Sequence, residues 1–142
     1  MSKNSKESGF EAILEAISLM NKEEKETLIS NITKMDFDLA DKLRASMYRL
    51  KDLQFITPQM MSEFLREVKT QTLANALKLE KEEDRNGILA KLPKSIREDI
   101  LFFIQKKVPK SQALEAHQEV MLIYSKMIDD ERLIISRDDK LV

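Results

Sequence analysis

An all-α fold is what this chain's sequence predicts, and three observations predict it. Only two glycines occur in 142 residues, so positions for positive-φ turns are scarce. Apolar residues recur at intervals of three and four rather than two, which is the spacing of one helix face. Residues that start helices, Ser8, Asn21, Asp36 and the pair Thr57-Pro58, stand just before those stripes. A chain of this length suits one domain, or one domain with a small appendage, and can bury about 68% of its unfolded surface in a core.

The first helix is expected to open at Ser8, with Glu11 completing a capping box, and to carry Phe10, Ile13, Leu14 and Ile17 on one stripe to about Met20. Asn21 caps a second helix, rich in acids and lysines, whose inner face is Leu28, Ile29 and Ile32. Asp36 caps a third, carrying Leu39, Leu43 and Met47. Lys51 to Ile56 has no clear period and reads as a connector. Thr57 followed by Pro58 is an N-cap with proline at the first helical position, so a fourth helix runs from there to about Val68. Thr70 to Lys78 is the fifth, and the charged run Glu80 to Arg85 begins a sixth that ends on Ile88, Leu89 and Leu92, weakened by Gly87. Pro93 opens the seventh, with Ile96, Ile100, Phe103 and Ile104 on its buried face. Pro109-Lys110-Ser111 breaks it before a long eighth helix from about Gln112 to Asp130, and Leu133 to Ile135 is expected to be extended.

The organisation that follows is a disordered N-terminus over residues 1–7, a helical unit over 8–47, a hinge or connector over 48–57, a C-terminal helical domain over 58–135 and a frayed tail over 136–142.

Composition excludes most chemistry. One histidine, His117, and no cysteine leave no usual zinc ligand set, so His117 is expected as a partly exposed helical residue rather than a metal ligand. Neither glycine lies in a phosphate-cradling spacing, and no nucleophile has a plausible base beside it, so neither a cofactor nor a small-molecule substrate is expected and the chain is not read as an enzyme. The carboxylate pairs Glu98-Asp99, Asp129-Asp130 and Asp138-Asp139 read as solvated helix faces, because neighbouring helical residues point about 100° apart. Met20, Met35, Met47 and Met121 stand where helical cores take gap-fillers. Twenty-four basic against 25 acidic residues, a net charge of -1, removes the field expected of a nucleic-acid binder. The basic corner from Gln105 to Lys110 has no interleaved aromatics and reads as a helix C-terminus complementing its dipole. A polar Met1 to Ser8, apolar runs far below about 18 residues and the lack of cysteine lead to the expectation of a soluble protein suited to a reducing cytosol.

A set of short motifs carries a family resemblance. Asp36-Phe37-Asp38-Leu39-Ala40-Asp41 is similar to D-P-D-L-A-E, and Met47-Tyr48-Arg49-Leu50 falls where the same family has its M-F-x-F hinge motif. Lys51-Asp52-Leu53 stands for E-D-L, Leu65-Arg66-Glu67-Val68 reproduces L-R-E-V, and Ala76-Leu77-Lys78 reproduces A-L-K. Glu115-Ala116-His117-Gln118 stands for E-A-Q-Q, and Leu133-Ile134-Ile135 for a terminal I-V-I. In this order the motifs resemble the C-terminal part of the flagellar motor switch protein FliG, and residues 9–34 resemble its preceding armadillo-like helices more weakly.

The resemblance implies a small armadillo-like three-helix unit, a hinge at Met47, Tyr48, Arg49 and Leu50, and a six-helix-type C-terminal domain that meets the stator's cytoplasmic loop through charged surface residues. It implies a cytoplasmic place, peripheral to the membrane at the basal body of the bacterial flagellum, with other rotor and switch proteins as partners and roles in motility and chemotaxis. Lys78 carries over directly as a stator-facing residue. If Ile96, Ile100 and Ile104 take the family's buried positions, the next arginine becomes Ser95 beside Lys94 and the acidic pair becomes Phe102-Phe103. A shifted alignment instead pairs Arg97-Glu98-Asp99 with R-E-D, and the last arginine is then Lys107 or Lys110. Further departures are Thr57-Pro58-Gln59-Met60-Met61-Ser62 in place of D-D-R-S-I-Q, and Leu79 in place of the glycine after A-L-K. The chain is expected to be a fragment or a shortened paralogue of that family.

Two functions remain open at this point. One is a rotor component that engages the stator through Lys78, Lys94, Arg97, Glu98, Asp99, Lys107 and Lys110. The other is an adaptor that has lost torque generation and docks partners through an apolar patch at Phe102 and Phe103. Five apolar residues in a row, Ile100 to Ile104, cannot all point inward, so Phe102 is expected to be exposed, with Lys94, Arg97 and Glu98 lining the same open side. The first three helices expose too much of Phe10, Ile13, Leu14, Ile17, Leu28, Ile32 and Leu39 to cover themselves, which predicts self-association through them or a lid from elsewhere in the chain.

Overall fold

The computed structural model describes residues 5–135 and is all-α, with no strand among them. Residues 1–4 and 136–142, which hold most of the expected disordered N-terminus, the whole frayed tail and the pair Asp138-Asp139, lie outside the described residues. The helices are α1 (Ser5–Ser18), α2 (Lys22–Met35), α3 (Phe37–Met47), α4 (Pro58–Glu67), α5 (Thr70–Leu77), α6 (Glu82–Leu89), α7 (Lys94–Gln105) and α8 (Lys110–Asp129), with a 3-10 helix at Leu50–Phe55. The chain divides into two compact units between Arg49 and Leu50.

In the first unit the caps follow local side-chain chemistry. Asn21 forms a full capping box, accepting from the Glu24 amide at 2.9 Å while its own amide donates to Glu24 Oε1 at 3.1 Å. Asp36 serves two helices: its amide donates to Ile32 O at 2.7 Å, closing α2, and its carboxylate accepts from Leu39 N at 3.1 Å, opening α3. The expected start at Ser8 is corrected, because α1 begins at Ser5 and residues 5–7 are already helical. Ile17, Ile29 and Leu43 form the buried centre, with Phe10, Ile13, Leu14, Met20, Leu28, Ile32, Leu39 and Met47 half-buried around it. Met35 is a second correction. It is the last residue of α2, points away from that centre and is 86% exposed, so it fills no gap in the core.

The second unit is organised around α5. Leu73, Ala74, Asn75, Ala76 and Leu77 are all buried, five residues in succession that span the whole circumference of the helix, so the C-terminal part of α5 lies inside, packed against α7 and α8. Phe64 of α4 and Tyr124 of α8 meet edge to face at 6.2 Å, joining the outer helices over the same core. Thr57 caps α4 as expected, its hydroxyl accepting from Met60 N at 3.2 Å ahead of Pro58.

Residues 50–55, read from sequence within a connector, instead form the 3-10 helix, because Leu50 and Leu53 are fully buried and the turn packs on α6. Gly87 sits inside α6, where a Cβ would come within 2.9 Å of Gln54 Cδ; the glycine makes room for that side chain of the 3-10 helix. Leu133 to Ile135 form no strand, and Leu133 belongs to a turn. The Arg132 amide donates back to Met127 O at 2.8 Å and the Glu131 amide to Ile128 O at 3.0 Å, which ends α8 in a Schellman turn and tucks Leu133 inside.

Candidate functional site

Helix α7 carries most of the residues singled out by the sequence. Ile100 is fully buried against the core, while Ile96, Phe103 and Ile104 are only half-buried, short of the full burial expected for them. A helix with one deeply seated residue presents a broad open side. That side holds Lys94, Ser95, Glu98, Asp99, Leu101, Phe102, Gln105 and Lys106, all exposed. Phe102 is 54% exposed and Leu101 42%.

The two phenylalanines stand edge to face with ring centroids 5.5 Å apart, and Lys106 Nζ lies 4.3 Å from the Phe102 centroid and 5.9 Å from that of Phe103. A cation over a half-exposed ring is attracted by about 0.5–1 kcal/mol, enough to bias a lysine rotamer but not to hide the ring. Lys106 therefore covers one edge of the aromatic pair and leaves the rest to solvent. Its amide closes the last turn of α7 on Phe103 O at 3.1 Å.

Arg97 does not share the open side with Lys94 and Glu98. Its Nε donates to Leu89 O at 3.0 Å, a carbonyl that also accepts from the Leu92 amide at 3.1 Å, and its Nη2 to Leu92 O at 2.9 Å, so the guanidinium ties α7 to the end of α6 and the turn that follows. Lys78 is also engaged. Its ammonium donates to the carbonyl of Lys106, placing a positive charge at the negative end of the α7 dipole. Lys94, Glu98, Asp99, Lys107 and Lys110 have exposed side chains, the last two beyond the end of α7. Of the hinge residues, Met47 packs beside the centre of the first unit, Tyr48 and Arg49 are half-buried, and Leu50 is buried in the second unit.

His117 lies half-buried on α8 with Nε2 3.1 Å from Glu80 Oε2, a clip between α8 and the turn after α5. Among the described residues no cluster of His, Cys, Asp or Glu could hold a metal ion, and no helix is long and apolar enough to cross a membrane. The arrangement offers surface recognition: a charged helix face with an aromatic pair near one end.

Fold and surface together define an all-helical protein of two units whose concentrated side-chain chemistry is one exposed helix face. Residues 30–135, well over half of the chain, match the family described as the FliG C-terminal domain, and the chain belongs to that family. The flagellar motor switch protein FliG of Borreliella burgdorferi is 22% identical over 133 residues, covering 91% of this chain and 38% of that protein. FliG of Bacillus subtilis is 21% identical over 141 residues, covering 94% and 41%. The chain thus spans about two fifths of the length of these curated relatives. Among solved structures, full-length FliG from Aquifex aeolicus superposes with a TM-score of 0.66 at 26% identity, covering 89% of this chain and 40% of that one. A FliG fragment from H. pylori has a TM-score of 0.55 at 17% identity over 86% of this chain and 55% of its own, a likeness of fold.

Proposed function

We propose that this chain is a non-enzymatic rotor or switch component of a bacterial flagellar motor, acting by helix-to-helix docking. The observation that carries this reading is the family match over residues 30–135. In this reading the protein sits at the cytoplasmic side of the basal body, with rotor and switch proteins as partners and the stator's cytoplasmic loop facing α7. The first three helices form an armadillo-like unit that self-associates, and the two units are separable around Met47, Tyr48, Arg49 and Leu50. The stator-facing charges are then Lys94, Glu98 and Asp99, with Lys107 and Lys110 at the far end. Lys78 and Arg97 act through the fold, since each already caps a helix end.

A second reading is favoured by one specific observation. Phe102 stands exposed where the resemblance expects an acid, and Leu101 beside it is also exposed. An adaptor that docks partners through this apolar spot needs that arrangement, whereas a purely electrostatic contact does not.

One set of cells decides between them. In a strain whose motility depends on this chain, Glu98→Lys and Lys94→Glu should each impair swimming while the protein remains at wild-type abundance, since reversing an exposed charge changes stability by under about 1 kcal/mol. Unchanged swimming in both would sink the stator reading. Loss of a co-sedimenting partner on Phe102→Ser, with the charge variants still binding it, would establish the adaptor.

A further inference from the structure

The turn that follows α5 is held from two sides. Within it the Leu79 amide donates to Ala76 O and the Glu80 amide to Leu77 O, each at 3.1 Å, so the chain reverses tightly at the helix end. On one side the Lys78 ammonium donates to Lys106 O, at the end of α7. On the other, Glu80 Oε2 lies 3.1 Å from His117 Nε2 on α8. Lys78 and Glu80 thus link α8 to the last turn of α7, whose Lys106 lies over Phe102. His117 keeps 29% of its side chain exposed and Glu80 17%, so protons reach the pair while much of the surrounding water is excluded.

Histidine is the side chain that changes charge between about pH 5 and 8, and this chain has one. With a neutral ring, Nε2–H donates to the carboxylate; with a second proton on Nδ1 the same contact is an ion pair. Other charges around the ring are few. Along α8, α5 has no charged residue from Thr70 to Leu77, and the turn after it brings Lys78, Glu80 and Lys81. The end of α7 adds Lys106 and Lys107. Glu63, Arg66 and Glu67 of α4 lie toward the other end of α8, where Glu67 pairs with Arg132. On α8 itself the residues one turn from His117, Ala113, Leu114, Val120 and Met121, are uncharged; Lys110 stands two turns away, and Glu115 and Glu119 point to the opposite side.

We propose that His117 is a proton-operated latch on the α7 docking face: its protonation tightens the turn, which holds Lys78 on Lys106 O and keeps the end of α7 and its aromatic pair in place. The proposal rests on the reading of α7 as a docking face and names a regulator of it. The added hold is present on the acid side, where the ring is charged, and is lost as pH rises and the ring gives up its proton. A partly exposed pair of this kind is worth a factor of about two to five.

Amide hydrogen exchange of the full chain tests this, with wild type compared against His117→Gln at the same pH so that the intrinsic pH dependence of exchange cancels. Glutamine can still bond to Glu80 but takes no charge, and it stands at this place in the motif E-A-Q-Q. At about pH 5.5 the amides of Leu79, Glu80 and Lys106 should exchange about two- to fivefold more slowly in wild type than in the variant; at about pH 8 the two should match. Glu80→Gln should remove the difference. Lys78→Met should keep it at Leu79 and Glu80 and lose it at Lys106, because the link to α7 is cut. No difference at the lower pH, or one that survives Glu80→Gln, overturns the latch. A difference confined to the turn in wild type also overturns it and leaves the docking reading of α7 untouched. If all three amides respond while Lys94→Glu and Glu98→Lys leave swimming unchanged, the latch stands and the docking reading falls.

Discussion

Two side chains show how single residues set the ends of helices here. Glu131 follows α8 with φ at 61°, the left-handed region, where it takes the place that glycine usually holds in a Schellman turn. A side chain there is strained by about 1–2 kcal/mol, while glycine is free of that strain but costs more entropy on folding. Glu131→Gly should therefore raise stability by about 0.5–1 kcal/mol, read as a higher urea midpoint with an unchanged slope; a lower midpoint would mean that Glu131 holds something its backbone does not reveal. Arg97 gives the opposite case. Its two bonds to Leu89 O and Leu92 O are charge-assisted but only half-buried, so Arg97→Met should cost about 1–2 kcal/mol, whereas Glu98→Lys one position on should stay within about 0.5 kcal/mol. Equal effects of the two would show that Arg97 is as free as its neighbour.

At the scale of elements, Gly87 in the middle of α6 weakens the helix by about 1 kcal/mol relative to alanine, yet an added methyl would collide with the Gln54 side chain. Gln54 is a flexible side chain and can swing away, giving up its 2.9 Å bond to Lys51 O, worth about 0.5–1.5 kcal/mol. Gly87→Ala alone should then change stability little, and adding it to a Gln54→Ala background should yield most of the helix gain; additive single effects in that thermal-melt cycle would refute the coupling. The same pair shows what could be foreseen from sequence. Caps at Asn21, Asp36 and Thr57 were legible because a cap is a bond between residues three apart, and Phe102 was legible as exposed because helix geometry allows only one stripe inward. The 3-10 helix was not, since nothing local separates a connector from a turn held down by Leu50 and Leu53 against α6. Nor were the aims of Arg97 and Lys78, whose acceptors lie 8 and 28 residues away along the chain.

Across the whole molecule the two units are unequal in what they bury. In the second, α5 is enclosed on nearly every side and residues from each of its helices are buried, so the core is closed by the unit's own chain. In the first, the buried apolar residues are Ile17, Ile29, Ala40 and Leu43, while Leu19, Met35 and Phe37 lie largely exposed. Full burial of a Leu or Ile is worth about 1.5–3 kcal/mol, and ordering the backbone of each residue costs about 1–2 kcal/mol, so three such side chains and an alanine do not hold some forty residues without help from the half-buried ring around them. Small domains of this size are marginal for the same reason. A fragment of residues 50–142 should therefore keep its helical circular dichroism and melt cooperatively, while a fragment of residues 1–49 should be weakly helical when dilute and gain helix as its concentration rises. A first fragment that melts sharply at a temperature independent of concentration would show that the half-buried residues close the core by themselves, and would remove the reason to expect this unit to self-associate.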